Sequence, residues 1–483
     1  MTLLPQLKPV IPALLLGIVT VAGFAPFGLF PLPVLTLALL ASEWQHTPQT
    51  APLTGFAFGL GLFLAGVSWV YVSMHDVGGM AAPIAISATA LLCVYLALFP
   101  ALAGFLWRRW RSGAPLPDAL LFAGLWTLAE GLRGWLFSGF PWLSLGYTQT
   151  PPSPLAGFVP LVGSYGAGFL VTLCAALPGL GGRKAKPLVL LALLIAAGIG
   201  LRGVSWTTPE GAPVSVSLLQ GNIPQSLKWE PGQLERSLRT YADLARSHPA
   251  RLTVLPETAI PLLFDHISPS YLALLRGQGE LLLGAPQEYG QGYRNAAIGL
   301  GNGVPQFYAK HHLVPFGEFV PPGFAWFFTL VRIPMADFEA GAAWQPPLTL
   351  AGLRLMPNIC YEDLFGEEII ATLGDAGVLV NLSNTAWFGH SLAQPQHLQI
   401  ARIRALETGR PMLRATNTGM TASINPDGTI AAALPPFTTD ALTVSVRAWS
   451  GQTPYARAGN MTAWTLALLS LIPAWRRHGK GRT

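Results

Sequence analysis

Leu355-Met356-Pro357-Asn358-Ile359-Cys360-Tyr361-Glu362-Asp363 sets a thiol directly after a short apolar run and follows it with two acids. The run Leu353–Ile359 predicts a strand, so Cys360 stands where that strand ends. A thiol attacks acyl carbon well once a neighbouring base removes its proton. Read alone, the same cysteine is equally a buried structural residue. The chain has two others, Cys93 and Cys174, and both lie inside long apolar runs, where a thiol acts as a small hydrophobe. That distribution argues against a disulfide framework and leaves Cys360 as the one cysteine in a polar setting.

Working upstream, two more segments carry chemistry. Leu252-Thr253-Val254-Leu255-Pro256-Glu257-Thr258 puts a carboxylate just past another predicted strand, where partial desolvation suits it to general-base work. By itself Glu257 reads more readily as a helix-start or surface residue. Tyr308-Ala309-Lys310-His311-His312-Leu313-Val314-Pro315-Phe316-Gly317-Glu318 offers Lys310 as a fixed positive charge able to stabilise an oxyanion, or, in isolation, as a solvated loop lysine. His311 and His312 are adjacent and do not easily face one ion. No third ligand follows at matching spacing, so neither a metal nor an organic cofactor is expected.

Outward from these segments the composition changes character. The chain is 51% hydrophobic and 11% charged, and its mean hydropathy of +0.44 points to membrane spans rather than an oversized core. Apolar runs of near-spanning length lie around 8–24, 28–44, 54–73, 82–107, 117–136, 156–178, 187–204 and 458–475. Lys8 before the first run raises a signal-peptide reading, but no small-residue cleavage site with a polar start follows. Basic clusters at Arg108, Arg109 and Arg111, at Arg183, Lys184 and Lys186, and at Arg476, Arg477, Lys480 and Arg482 all follow even-numbered runs. The positive-inside rule then puts them in the cytoplasm with the N-terminus. The net charge of +6 reflects these flanking loops and not a nucleic-acid surface.

The expected organisation is therefore a seven-span membrane domain over 1–205, an extracytoplasmic domain over 213–447, an eighth span over 458–475 and a basic cytoplasmic tail over 476–483. Val214–Leu219, Leu252–Leu255, Leu281–Ala285, Leu353–Ile359 and Val378–Leu382 predict strands; Gly232–His248 and Gln394–Thr408 predict helices. This alternation makes the inserted domain α/β.

Taken together, and in this order, Glu257, Lys310 and Cys360 resemble the Glu-Lys-Cys triad of the nitrilase superfamily of carbon–nitrogen hydrolases. The resemblance implies an αββα sandwich, with Glu257 as general base, Lys310 as oxyanion stabiliser and Cys360 as nucleophile. The membrane half narrows it further. Gly23-Phe24-Ala25-Pro26-Phe27, Glu130-Gly131-Leu132-Arg133-Gly134-Trp135 running on to Gly139-Phe140-Pro141-Trp142, Gln220-Gly221-Asn222-Ile223-Pro224-Gln225 with Trp229, and Asn381-Leu382-Ser383-Asn384-Thr385-Ala386-Trp387-Phe388-Gly389 resemble the apolipoprotein N-acyltransferase family.

That likeness implies a multi-pass enzyme of the bacterial inner membrane, monomeric, with its catalytic domain on the periplasmic side. It would move an acyl chain from a phospholipid through a Cys360 thioester to the α-amine of a diacylglyceryl-modified apolipoprotein. Glu318 and Glu362 would support the triad, or else cap helices and pair with arginines. Trp229, Tyr361, Trp387 and Phe388 would meet substrate, or else belong to the core. Gly323–Val331, too short to span and too apolar for a free loop, reads either as a membrane-touching arm or as a buried helix. A membrane-tethered amidase using the same triad is the competing reading, and an inactive nitrilase-like scaffold is a third.

Overall fold

The computed structural model describes residues 8–181, 185–225, 232–290, 292–321, 323 and 338–480, with backbone only for 474–480. Trp229 and all of the 323–331 segment except Gly323 lie outside the described residues. The chain divides into two compact units, one of Met1–Tyr71, Pro83–Ser205 and Pro454–Thr483, the other of Val72–Ala82 and Trp206–Thr453.

The first unit is helical: α1 (Val10–Thr20), α2 (Pro31–His46), α3 (Ala51–Gly66), α4 (Trp69–Val72), α5 (Ala82–Trp110), α6 (Pro115–Trp135), α7 (Val159–Gly181) and α8 (Ala185–Leu201). Prolines at the first turns of α2, α3 and α6 start these helices, because a missing N–H costs nothing there. Among the described residues two helical stretches, Ala82–Trp110 and Pro154–Gly181, are long and apolar enough to cross a membrane. The pair Pro48–Gly66 and Trp69–Val77, bent by 45°, makes a third if it is one span. Helix α6 is long enough at 21 residues but carries Asp118, Glu130 and Arg133. The apolar helices Val10–Gly23, Ala185–Leu201 and Met461–Pro473 are shorter.

Small residues let these helices approach closely, as membrane bundles require. A Cβ on Gly17 of α1 would fall 2.0 Å from the Phe58 carbonyl oxygen of α3. The charged pair in α6 is tied to the chain that follows it. Glu130 accepts the Leu145 N–H at 3.0 Å, while Arg133 donates to the carbonyls of Phe140 and Trp142 at 2.5 and 2.6 Å. Irregular backbone is thus satisfied internally, by side chains that are expensive to bury unless so used.

The second unit is α/β. Its first sheet has the order β12-β1-β2-β3-β4-β5, from β1 (Thr207–Gln220), β2 (Leu252–Val254), β3 (Glu280–Tyr289), β4 (Gly292–Leu300), β5 (Gln306–Ala309) and β12 (Asp440–Gly451). The second has the order β11-β10-β9-β8-β7-β6, from β6 (Leu348–Leu350), β7 (Leu353–Ile359), β8 (Val378–Ser383), β9 (Met412–Thr416), β10 (Ala422–Ile424) and β11 (Ile430–Ala433). Helices α9 (Gln233–Ser247) and α10 (Pro269–Arg276) pack on the first sheet; α11 (Gly366–Leu373) and α12 (Ala393–Thr408) pack on the second. The two sheets touch through β1 and β9 and through β4 and β6, giving a helix–sheet–sheet–helix layering. Short α13 (Pro454–Ala458) and α14 (Met461–Lys480) end the chain in the first unit.

In each sheet the three central strands run parallel: β1-β2-β3 and β7-β8-β9. Their parallel-paired segments are buried on both faces, so they read as continuous apolar runs, and the sequence predicts five of these six. The sixth parallel strand, β9, and the antiparallel flanks β4, β5, β6 and β10–β12 were not among the predicted strands. β4 and β11 explain why, since GYRNAAIGL and IAAA carry few β-branched or aromatic residues and owe their form to the neighbouring strand.

Candidate active site

Glu257, Cys360 and Asn384 each lie just beyond the carboxyl end of a parallel strand, β2, β7 and β8 respectively. Open parallel sheets gather ligands at these ends, because side chains there project past the last ladder bond. Lys310 follows β5 directly, and its N–H donates to the Asn295 carbonyl of β4 at 2.7 Å, which fixes where its side chain starts.

The structure brings Glu257, Lys310 and Glu318 together. Lys310 is almost wholly buried, at 1% exposure. Its Nζ lies 2.8 Å from one Glu318 oxygen and 2.9 Å from the other, and 3.6 Å from Glu257 Oε1. Burial opposes the charge, but Glu318 and then Glu257 more than offset it and raise the ammonium well above the ordinary lysine range. Lys310 is thus a permanent cation in a dry setting, where it acts on a developing negative charge far more strongly than in water.

Glu257 is held at both oxygens. Asn295 Nδ2 donates to Oε1 at 2.7 Å, and the Asn384 backbone N–H donates to Oε2 at 2.7 Å. The same Asn295 amide reaches Glu318 Oε1 at 2.9 Å, so one side chain sets the spacing of two carboxylates. Strand β3 passes beneath through Gly284, where a Cβ would lie 2.6 Å from Glu257 Cα. Glycine is required there by that close approach.

Cys360 is half-buried and opens a tight turn with φ +53°, a conformation costly for a residue with a side chain. Burial first, then the Glu257 carboxylate, pushes its thiol up to about 12, against the opposing pull of Lys310 and of the nearby Ser383 hydroxyl. At neutral pH the sulfur therefore carries its proton, and a base must take it before the thiol can attack.

Glu362 joins the segment around Lys310 to the turn at Cys360. One oxygen accepts the Ile359 N–H at 2.6 Å, and the other accepts the His311 N–H at 2.7 Å. The Tyr308 hydroxyl lies 3.1 Å from both. Burial raises Glu362 to about 7, with those backbone N–H groups pulling the other way. His311 and His312 turn to different partners: His311 Nδ1 meets the Gly341 carbonyl and His312 Nδ1 meets Glu368, each at 2.9 Å. Among the described residues no cluster of ligands suits a metal ion.

Tyr361 and Phe388 are buried, and Trp387 is half-buried. Tyr361 packs edge-on against Phe365 at 5.3 Å, Phe388 against His397 at 5.8 Å, and the Trp387 carbonyl accepts the Ser73 hydroxyl at 2.7 Å. Asn295, Ser383, Asn384, His397 and Arg414 also reach the site or its foundations, and sequence reasoning had singled out none of them for a role. Ser383 and Asn384 stand inside the Asn381–Gly389 stretch already noted; nothing comparable marks Asn295, His397 or Arg414.

Residues 16–177 match the family of apolipoprotein N-acyltransferase N-terminal domains, and residues 215–455 match the carbon-nitrogen hydrolase family. An apolipoprotein N-acyltransferase of Nitrosomonas europaea is 49% identical over 96% of each chain. That of Chromobacterium violaceum is 45% identical over 97% of this chain and 94% of its own. That of Ralstonia nicotianae is 45% identical over 96% and 93%. With an α/β domain of the carbon-nitrogen hydrolase kind and relatives this similar along nearly the whole length, the chain belongs to the apolipoprotein N-acyltransferase family.

Proposed function

We propose that this membrane acyltransferase moves a fatty acyl chain from a phospholipid to the α-amine of the diacylglyceryl-modified N-terminal cysteine of apolipoproteins, through a thioester on Cys360. The observation that carries the reading is the buried Lys310 ammonium, paired with Glu257 and Glu318 and close enough to Cys360 for each to shift the other's charge.

The chemistry follows from that arrangement. Glu257 takes the thiol proton as Sγ attacks the ester carbonyl carbon. Negative charge then develops on the carbonyl oxygen, where Lys310 and a backbone N–H beside Cys360 stabilise it. Collapse breaks the ester C–O bond, Glu257 returns its proton to the leaving alkoxide, and lysophospholipid departs. The α-amine then attacks the thioester, Glu257 takes the amine proton, and collapse releases the amide and returns that proton to sulfur. Splitting one hard transfer into two easier ones is the advantage of the covalent intermediate. Glu318 holds Lys310, and Glu362 holds the turn. Tyr361, Trp387, Phe388 and Trp229 are proposed to line the acyl path.

The reading includes eight spans, a monomer and a catalytic domain, 213–447, on the periplasmic face of the inner membrane. The orientation is supported by the basic clusters after even-numbered apolar runs. No metal or cofactor enters the scheme.

Intact-mass spectrometry of full-length wild type and Cys360→Ala, incubated with phospholipid and no acceptor, tests it. A hydroxylamine-sensitive fatty-acyl adduct on wild type alone is expected. Folded wild-type protein without an adduct would overturn the thioester route and favour hydrolysis of a small amide.

A further inference from the structure

Beneath the turn at Cys360 lies a second polar cluster for which the reaction scheme has no role. Arg414, Asp363 and His397 are all essentially fully buried. Arg414 donates to Asp363 Oδ2 at 3.2 Å and to Asn381 Oδ1 at 2.7 Å, and its other terminal nitrogen lies 2.8 Å from His397 Nδ1. A guanidinium only donates, so Nδ1 must be the acceptor and the imidazole proton sits on Nε2. Nε2 in turn lies 2.7 Å from Asp363 Oδ1 and 3.2 Å from the backbone carbonyl of Cys360. Asn381 Nδ2, anchored to Asn358 Oδ1 at 2.7 Å, approaches the same carbonyl at 3.4 Å.

Burying an arginine, an aspartate and a histidine together is costly, and the hydrogen bonds they make to one another and to Asn381 offset part of that cost. Here the cluster converges on one peptide group, the Cys360–Tyr361 amide, in a turn whose first residue is already strained at φ +53°. In a trans peptide the C=O and N–H point in opposite directions. Pinning the Cys360 carbonyl toward His397 and Asn381 therefore fixes the direction in which the Tyr361 N–H points. We propose that His397, oriented by Arg414 and Asp363 and assisted by Asn381, is a positioning residue that locks this peptide plane, so that the Tyr361 N–H is the preorganised backbone donor to the oxyanion. The inference rests on the reading of Cys360 as the nucleophile. It predicts that His397 serves acyl attack but not the reactivity of the thiol as such.

The two can be separated. Acylation of Cys360 by an ester passes through an oxyanion; alkylation by iodoacetamide displaces iodide at an sp³ carbon and forms none. Full-length wild type, His397→Leu and His397→Gln are compared for both rates, using the p-nitrophenol burst from a long-chain p-nitrophenyl ester and, separately, acyl transfer from phosphatidylethanolamine vesicles. Loss of one oxyanion donor costs on the order of 100-fold in rate. His397→Leu is expected to lose acylation on that scale with alkylation unchanged. His397→Gln, whose amide N–H reaches toward the former Nε2 position, should recover most of it.

Should the leucine variant not fold, His397→Asn replaces it, since its shorter amide keeps the site polar while drawing back from the carbonyl. Parallel loss of both rates, no loss of acylation, or no recovery with glutamine would each overturn the proposal. If wild type gives a Cys360-dependent burst with the nitrophenyl ester but takes no chain from vesicles, the proposed acyl donor is wrong and the ester series alone decides the role of His397. If wild type gives no burst at all, the nucleophile assignment and this inference fall together.

Discussion

The backbone N–H of Asn384 donates to Glu257 Oε2 at 2.7 Å, across 127 positions of the chain. Glu257 belongs to the end of β2 in one sheet and Asn384 to the end of β8 in the other, so the orientation of the carboxylate depends on how the two sheets meet. A base held at both oxygens keeps the geometry that proton transfer needs without reorganising during the reaction.

Removing the other holder should show this. Asn295→Ala leaves Glu257 Oε1 and Glu318 Oε1 without their shared amide donor, and an unmet buried acceptor costs about 1–3 kcal/mol. Acyl transfer should fall roughly 10- to 100-fold on that scale, with the protein still folded by circular dichroism. Full activity would mean that the backbone N–H of Asn384 suffices.

Gly284→Ala reaches the same carboxylate from below. The new methyl would fall 2.6 Å from Glu257 Cα and 2.7 Å from the Pro256 carbonyl, so the backbone must shift. A misplacement of about 1 Å can cost on the order of 100-fold in rate. Single-turnover thioester formation should be the step that slows.

Glu318→Gln removes the closer of the two charges that meet Lys310, leaving burial to work against the ammonium. A loss of kcat/KM of about 100-fold is expected, with partial activity in Glu318→Asp. Undiminished transfer by both variants, measured with saturating phospholipid, would reduce Glu318 to a structural residue.

Because burial and Glu257 push the Cys360 thiol up to about 12, alkylation by iodoacetamide should climb steadily with pH from 7 to 9.5. A plateau below pH 7 would instead reveal a resting thiolate. The control is Cys360→Ala, since burial protects Cys93 and Cys174.

His397 gives a second pH effect, on stability. Burial, then the Arg414 guanidinium, hold it below the ordinary imidazole range, so the folded chain binds its proton more weakly than the unfolded chain. Its contribution is complete above the unfolded value of about 6.5 and is lost as pH falls below it, by up to about 1.4 kcal/mol per pH unit. The apparent Tm of the full chain should therefore drop on acidification below that value, and less steeply in His397→Gln.

The sequence alone was enough for the apolar helical character of one half, the α/β character of the other and five of the six parallel strands, because apolar helices and doubly buried strands are written as local apolar runs. It also marked Glu257, Lys310, Cys360, Glu318 and Glu362, whose residue types carry chemistry wherever they stand. Only the tertiary structure could show that Lys310 is paired by Glu318 as well as Glu257, or that Glu362 ties Tyr308, His311 and Ile359 into one clamp. Asn295, Asn384, His397 and Arg414 were illegible for a physical reason. Their residue types are common, and each acts by donating a hydrogen bond to a group far away in sequence. That is decided by how strands, helices and the two sheets come together in space and not by any local pattern.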